Sequence, residues 1–364
     1  MSYENHRYVL MTVDPVHIGT GGMRLGRVDL SIVREPGTNL PKIPGTALHG
    51  AVRSYAAHRY GKPRCAGLGQ TRDGRGGHCG RPTCPICYTF GYVGGEDTAQ
   101  AHSGVVTLTD ARILLFPVYS MVGPLWVTSP STLEDFGAGS QTVDEGKAKW
   151  PKDLTSQQHL NLGWLMVEKE ANLNVSNLNL PQKQAVRDRI VLISDKLFTH
   201  VVNSNLEVRT SVSLNPETGA AEEGALFTYE AIPRATFLWL DVIVDDHRGE
   251  FPNEERLKQW EQTLEDDDAD AKKALLKSWR LLKPSDESDE QKLEEALQRA
   301  ERWLREEKTQ EQEQEKWRWK MSTMNGVEQT SGGIVAAGLE WAKDLGIGGM
   351  GTRGFGRVRK VAEV

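Results

Sequence analysis

Four cysteines, Cys65, Cys79, Cys84 and Cys87, lie within 23 residues, and the chain contains no others. The run GHCGRPTCPIC ends in a CxxC and places His78 beside Cys79. Clustered thiols of this kind fit a structural zinc site better than a set of disulfides. Four thiolates close a tetrahedral shell, and the long loop that carries them gains order from it. A redox pair would need only Cys84 and Cys87. His78 is the alternative ligand, replacing one cysteine. A closed four-ligand shell leaves no open position, so this metal is expected to be structural.

A second group of residues carries acid–base and phosphate chemistry. Asp29 stands in RVDLSIVRE, His17 in DPVHIGTGG and Glu230 in TYEAIP. Taken alone, Asp29 reads as a sheet-edge carboxylate making a turn hydrogen bond. Asp14, before a proline, and Asp110, at a strand end, read as structural. The C-terminal run LGIGGMGTRGFGRVRKV has glycines at 346, 348, 349, 351, 354 and 356. Their uncovered backbone N–H groups can approach phosphates. Arg353, Arg357 and Arg359 in the same run favour a nucleic-acid backbone over a plain strand connection. The run holds no Walker A pattern.

Charge is unevenly spread. Of 50 acidic and 44 basic residues, 20 acidic and 13 basic lie between Glu254 and Lys316, a net of −7 there. The rest, 30 acidic against 31 basic, is near neutral and can present a basic face to nucleic acid. No apolar run approaches a membrane span, and the N-terminus lacks a signal-peptide pattern. The expectation is a cytoplasmic protein with no membrane partner.

The elements that must position these residues read as follows. RYVLMTV (7–13) is a strand, and a glycine-rich turn covers 17–27. VDLSIVRE is a second strand, with Val28, Leu30 and Ile32 on one face and Asp29, Ser31 and Val33 on the other. A helix follows from Thr46, its expected N-cap, with Leu48, Val52 and Tyr55 on one face. The cysteine-rich loop spans 62–90. One or two strands surround Asp110, and 132–180 carry few regular signals. RIVLISDKLFTHVV is a strand turning into a helix. Residues 206–232 form a β-hairpin with its tip at Asn215–Gly219, and RATFLWLDVIVDD is a strand. Residues 254–320 read as an inserted acidic α-hairpin, with Leu275, Trp279 and Leu282 on one helical face and Leu293, Leu297, Ala300 and Leu304 on another. This order predicts an α+β domain with an antiparallel sheet, a single domain over 1–364 with three insertions.

The blocks DPVHIGTGG, GRVDLSIVRE, LPKIPGTALHGAVRS, CPICYTFG, RIVLISDKLF, EVRTSVSLNPETGAAEEGALFTYEAIP and GIGGMGTRGFGRVR occur in this order along nearly the whole chain. Together they resemble the RAMP superfamily of CRISPR proteins, most closely the repeated backbone subunit of type III-B (Cmr-type) effector complexes. The resemblance implies a ferredoxin-like (RRM-like) core. It implies copies stacked along a CRISPR guide RNA beside other type III effector subunits, with the 206–232 hairpin as a thumb that parts the guide–target duplex. It further implies antiviral defence, as a ribonucleoprotein complex that cuts target RNA beside each displaced nucleotide. The acidic α-hairpin and the clustered cysteines stand outside the family pattern.

On this resemblance Asp29 matches the catalytic aspartate position. RNA supplies its own nucleophile, the 2′-OH, so the enzyme must align it with phosphorus and leaving oxygen. A carboxylate can accept the 2′-OH proton or hold Mg2+ or another divalent cation. His17 would assist as acid or positioning donor, and Glu230 from the thumb side. His49 (where the family often has lysine), Arg53, Gly348, Gly349, Arg353 and Arg357 are the expected guide-RNA contacts, holding register without reading sequence. The alternatives are a guide-coating subunit that cuts nothing and a guide-processing RAMP ribonuclease.

Overall fold

The computed structural model describes residues 3–21, 28–67, 77–92, 101–313 and 329–364. Residues 68–76 of the cysteine loop and 314–320 of the acidic insertion lie outside the described residues. Two compact units make up the chain. One unit gathers Met1–Asn5, His49–Thr107 and Val242–Trp341, and the other His6–Leu48, Leu108–Asp241 and Ala342–Val364. Among the described residues no helix is long and apolar enough to cross a membrane.

The second unit is built on a large sheet. Its strands run in the order Val358–Glu363, Glu4–Thr12, Phe237–Val244, Ala111–Val118, Leu125–Thr128, Ile190–Ile193, Lys147–Trp150, Leu165–Asn172, His159–Leu162. In the first four, the last strand of the chain lies beside the first, and the first beside Phe237–Val244. In chain order, helix Gly45–Arg59 follows the first of these strands and helix Ser331–Leu345 precedes the last. The sheet is mixed rather than purely antiparallel, because Ile190–Ile193 pairs parallel with Leu125–Thr128 and Leu165–Asn172 parallel with Lys147–Trp150. Strand Ala111–Val118 is central, and its near-continuous apolar run is buried accordingly. Leu114, Leu133, Phe136, Leu192 and Trp239 share one buried cluster on this sheet.

Residues 132–180, which carry weak periodic signals, contain helix Pro130–Phe136 and three short strands. The expected hairpin is present as Glu207–Leu214 and Ala221–Ala231. Asn215 forms its turn: the side-chain oxygen accepts the Glu217 N–H at 2.8 Å, and Gly219 takes a positive φ of 66°. Helix Gly45–Arg59 begins one residue before Thr46, and the carboxylate of Asp110 accepts the Gly45 N–H at 2.8 Å. The cap thus comes from a distant strand end rather than from Thr46.

In the other unit the described residues of the acidic insertion hold three α-helices, more than a two-helix hairpin: Glu254–Glu265, Ala269–Ser278 and Glu290–Glu313. Trp260, Trp279 and Trp303 form its centre, with Trp260 edge-on to Trp279 at 5.0 Å and Trp303 stacked on Trp279 at 6.1 Å. The acidic residues face outward from this aromatic core.

Candidate active site and metal centre

Asp29 lies where the run 28–35 meets the root of the thumb. The run is not a continuous strand. It is held by single bridges, Gly19 to Ile32, Leu30 to Tyr229 and Arg34 to Pro41. The Leu30 N–H donates to Thr228 O at 3.0 Å, and the Glu230 N–H donates to Leu30 O at 3.2 Å. This lays the run against the return strand of the hairpin and brings Asp29 opposite Thr228.

Oδ2 of Asp29 accepts the Thr228 backbone N–H at 2.7 Å and the Thr228 hydroxyl at 2.9 Å. The Asp29 N–H donates back to that hydroxyl oxygen at 3.2 Å. The Thr228 N–H, and then its hydroxyl, hold the half-buried Asp29 carboxyl below the usual carboxylate range. Asp29 is therefore an anion at neutral pH, and a weak proton acceptor. Thr228, 199 residues away, was not marked by the sequence pattern.

Glu230 is 7 % exposed and its carboxylate is committed. The two oxygens sit in the Arg34 guanidinium fork, each at 2.8 Å, and Oε1 also accepts the Ile32 N–H at 3.0 Å. A carboxylate bound on both oxygens inside the protein holds the thumb root and has no proton role to offer. This corrects the expectation that Glu230 assists catalysis directly. Arg34, which stands in the same run as Asp29 and has no role assigned from sequence, completes the pair.

His17 is buried, and its Nδ1 lies 2.7 Å from the backbone oxygen of Glu230. A carbonyl oxygen only accepts, so Nδ1 carries a proton and Nε2 is the ring nitrogen left free of that bond. Nε2 faces Gly19, where a Cβ would come within 3.1 Å. Thr228 and Glu230 are two apart on one strand, so the anchors of Asp29 and His17 are about 7 Å apart along it.

The last glycine-rich loop closes on His17. Gly348 has φ +93°, and a Cβ there would lie 2.3 Å from Ile18 Cδ1 and 2.6 Å from His17 O. The Gly349 N–H donates to His17 O at 3.0 Å, and the Gly356 N–H to Pro15 O at 2.8 Å. At Gly349 and Gly356 the backbone N–H groups are used inside the protein, so Gly349 is not the phosphate donor expected of it. Close approach is what requires glycine at 348. Arg357 pairs with Asp14, Nη2 to Oδ1 at 3.1 Å. Arg353 is exposed, with its guanidinium 5.9 Å from the centre of the Phe227 ring, and Arg209 lies 4.6 Å from the centre of the Phe355 ring. Tyr229 meets Phe355 edge-on at 5.4 Å. At the thumb root Arg209 and Arg353 thus lie beside aromatic rings and stay exposed, cations that can meet phosphates.

In the other unit the four cysteines converge. Their sulfurs all lie within 4.8 Å of one another, with Cys65 to Cys79 at 3.4 Å, Cys65 to Cys87 and Cys79 to Cys87 at 3.6 Å, and Cys65 to Cys84 at 3.9 Å. A zinc tetrahedron with 2.3 Å arms has sulfur–sulfur edges of about 3.8 Å. The sulfurs are thus spaced to hold a metal. His78 lies outside this set, and burial, aided by the charge of Arg53, pushes its pKa down to about 4. Four sulfurs suffice without it. Buried polar atoms without hydrogen-bond partners flank the cysteines: both ring nitrogens of His78, Oγ1 of Thr83 and Nη2 of Arg53. Such atoms fit a centre whose ligands are anionic sulfurs.

Arg53 is 6 % exposed. Its Nε donates to Cys65 O at 2.8 Å, and its Nη1 donates to Gly91 O at 2.6 Å and Phe90 O at 3.3 Å. A guanidinium buried on three carbonyls cannot reach an RNA backbone, which corrects that expectation. His49 is half-buried, edge-on to Phe90 at 5.1 Å. Burial, and then the charge of Arg53, lower its pKa, so it brings no charge to RNA at neutral pH.

Known proteins place this architecture. The chain is 27 % identical over 259 residues to the CRISPR system Cmr endoribonuclease Cmr4 of Pyrococcus furiosus, covering 65 % of this chain and 80 % of that protein. It is 28 % identical over 141 residues to the endoribonuclease Csm3 of Methanothermobacter thermautotrophicus, 38 % of this chain and 51 % of that protein. A subunit of a type III-B Cmr-beta complex bound to cognate target RNA shares the fold, with a TM-score of 0.51 at 17 % identity, covering 67 % of this chain and 85 % of its own. The RAMP superfamily model matches residues 9–359, and the chain belongs to the RAMP superfamily.

Proposed function

We propose that this chain is the guide-RNA-binding backbone subunit of a type III-B CRISPR effector in the cytoplasm, and that it cleaves complementary target RNA at the root of its thumb through Asp29. The observation that carries this reading is the Asp29 anion, fixed to Thr228 where the hairpin leaves the body. The curated relatives named as endoribonucleases support it. Further copies of the chain, other effector subunits, guide RNA and target RNA are its partners.

The chemistry follows from RNA itself. The 2′-OH gives up its proton to solvent and its oxygen attacks the adjacent phosphorus; the O2′–P bond forms, the P–O5′ bond breaks, and O5′ takes a proton from solvent, leaving a cyclic phosphate and a 5′-hydroxyl. Asp29, a weak base, acts chiefly as a fixed negative charge that orients the 2′-OH. Mg2+ or another divalent cation, held by this one carboxylate and the RNA's phosphate oxygens, would supply charge neutralisation. His17, oriented by its Nδ1–H bond to the Glu230 carbonyl, is a positioning group through Nε2. Arg353 is the best placed of the expected RNA contacts, and Arg357 contributes from its pair with Asp14. In the other unit, zinc on Cys65, Cys79, Cys84 and Cys87 orders the loop and takes no part in cleavage.

A second reading, a guide-coating subunit that cuts nothing, is favoured by the same pair, since Asp29–Thr228 can serve solely to tie the thumb to the body. The test assembles the complex on guide RNA and adds end-labelled target RNA with Mg2+. Asp29→Asn keeps an acceptor for Thr228 and removes the charge. The expected result is unchanged assembly and target binding with cleavage reduced about 10²- to 10³-fold. Cleavage by Asp29→Asn at the wild-type rate would refute the catalytic reading.

A further inference from the structure

We infer that Arg53 is the internal counter-cation of the four-cysteine metal centre, a positioning residue that sets its affinity. The inference rests on the zinc reading above and goes beyond it. A divalent metal on four thiolates carries a net charge of −2, a heavy load for a buried site. The site needs a cation that cannot leave.

Arg53 meets that need by its place in the fold. It projects from helix Gly45–Arg59 into the interior and is 6 % exposed. Three carbonyls clamp two of its nitrogens: Cys65 O belongs to a ligand residue, and Phe90 O and Gly91 O lie at the end of helix Pro85–Phe90, which carries Cys87. Carbonyls at a helix C-terminus favour a cation there. The third nitrogen, Nη2, is buried and without a partner. The guanidinium is thus gripped by carbonyls of a ligand residue and of the helix that carries another, with the two N–H bonds of Nη2 left without a partner in the interior. Lysine could bring the charge but not the fork that binds several carbonyls at once.

The full chain is purified with zinc, and Arg53→Met and Arg53→Lys are compared with wild type. Zinc affinity is read by competition with a chromogenic chelator. The environment of the sulfurs is read from the sulfur-to-metal charge-transfer band of the Co2+-substituted protein. A cation beside the thiolates stabilises their lone pairs and moves that band to higher energy. Arg53→Met is expected to bind zinc about 10- to 100-fold more weakly and to shift the band to lower energy. Arg53→Lys should keep the band near its wild-type position while losing part of the affinity. The band reports only metal-bound molecules, so it remains readable where the variant folds poorly. An unshifted band in Arg53→Met, with zinc retained at wild-type affinity, would overturn the counter-cation role and leave the metal site standing. A wild-type chain that binds neither zinc nor Co2+ would overturn both.

Discussion

Replacing Glu230 separates a residue that holds the site from one that performs the chemistry. Glu230→Ala leaves the Arg34 fork and the Ile32 N–H without their acceptor. Breaking a fully buried ion pair by removing one partner costs about 3–5 kcal/mol. Here the side chain of Glu230 is 9 % exposed but that of Arg34 is 21 % exposed, and Arg34 keeps Asn203 Oδ1 at 3.0 Å and Ile32 O at 3.1 Å. Discounting for that water access and those partners gives a loss of about 2–3 kcal/mol. Glu230→Gln keeps an oxygen for the Ile32 N–H and should lose about 1–2 kcal/mol. The assay is urea unfolding of Glu230→Ala, Arg34→Met and the double variant, followed by cleavage by Glu230→Gln at saturating target. The double variant should lose clearly less than the sum of the single ones, because each single change strands the other partner. Cleavage by Glu230→Gln should stay within about an order of magnitude of wild type, as expected of a group that never meets substrate. A Glu230→Gln chain of wild-type stability whose cleavage falls by about 10² or more would refute this reasoning and return Glu230 to acid–base duty.

Two further outcomes follow from the same geometry. Gly348→Ala should destabilise the loop under His17 by about 1–3 kcal/mol, since its φ of +93° and the 2.3 Å approach to Ile18 Cδ1 both oppose a Cβ; thermal unfolding reads it, and an unchanged midpoint would contradict the packing described. The Asp29 carboxyl is held below its ordinary value of 3.8, so its anionic form, and whatever stability it contributes, persists as pH falls and is lost only on passing below that value. Cleavage should therefore show no acid limb from Asp29 between about pH 5 and 8. An acid limb in that range that moves to higher pH in Thr228→Val would show that Asp29 titrates there and would refute a carboxyl held below its ordinary value.

Several features belonged to the sequence because their causes are local. The hairpin at 206–232 is closed by a short turn in which Asn215 and Gly219 supply their own geometry, so pairing and tip could be read directly. The four cysteines carry their chemistry in residue type, and their convergence agrees with their clustering. Helix Gly45–Arg59 followed from its periodicity. Asp29 was singled out by the family resemblance, not by any local pattern.

Tertiary structure decided the rest. Strands Lys147–Trp150, His159–Leu162 and Leu165–Asn172 are short and partly charged, so they show little apolar periodicity, and their pairing with neighbours makes them strands. Helix Glu254–Glu265 buries few residues, and Trp260 becomes a core residue only because Trp279 and Trp303 meet it. The role of Glu230 was settled by Arg34, 196 residues away. Arg53 and Arg353 are the same residue type in the sequence. One is buried on three carbonyls beside the cysteines, and the other is exposed near Phe227. Residue type states which bonds a side chain can make, but burial and partner geometry decide which it does make, and those exist only once distant segments are brought together.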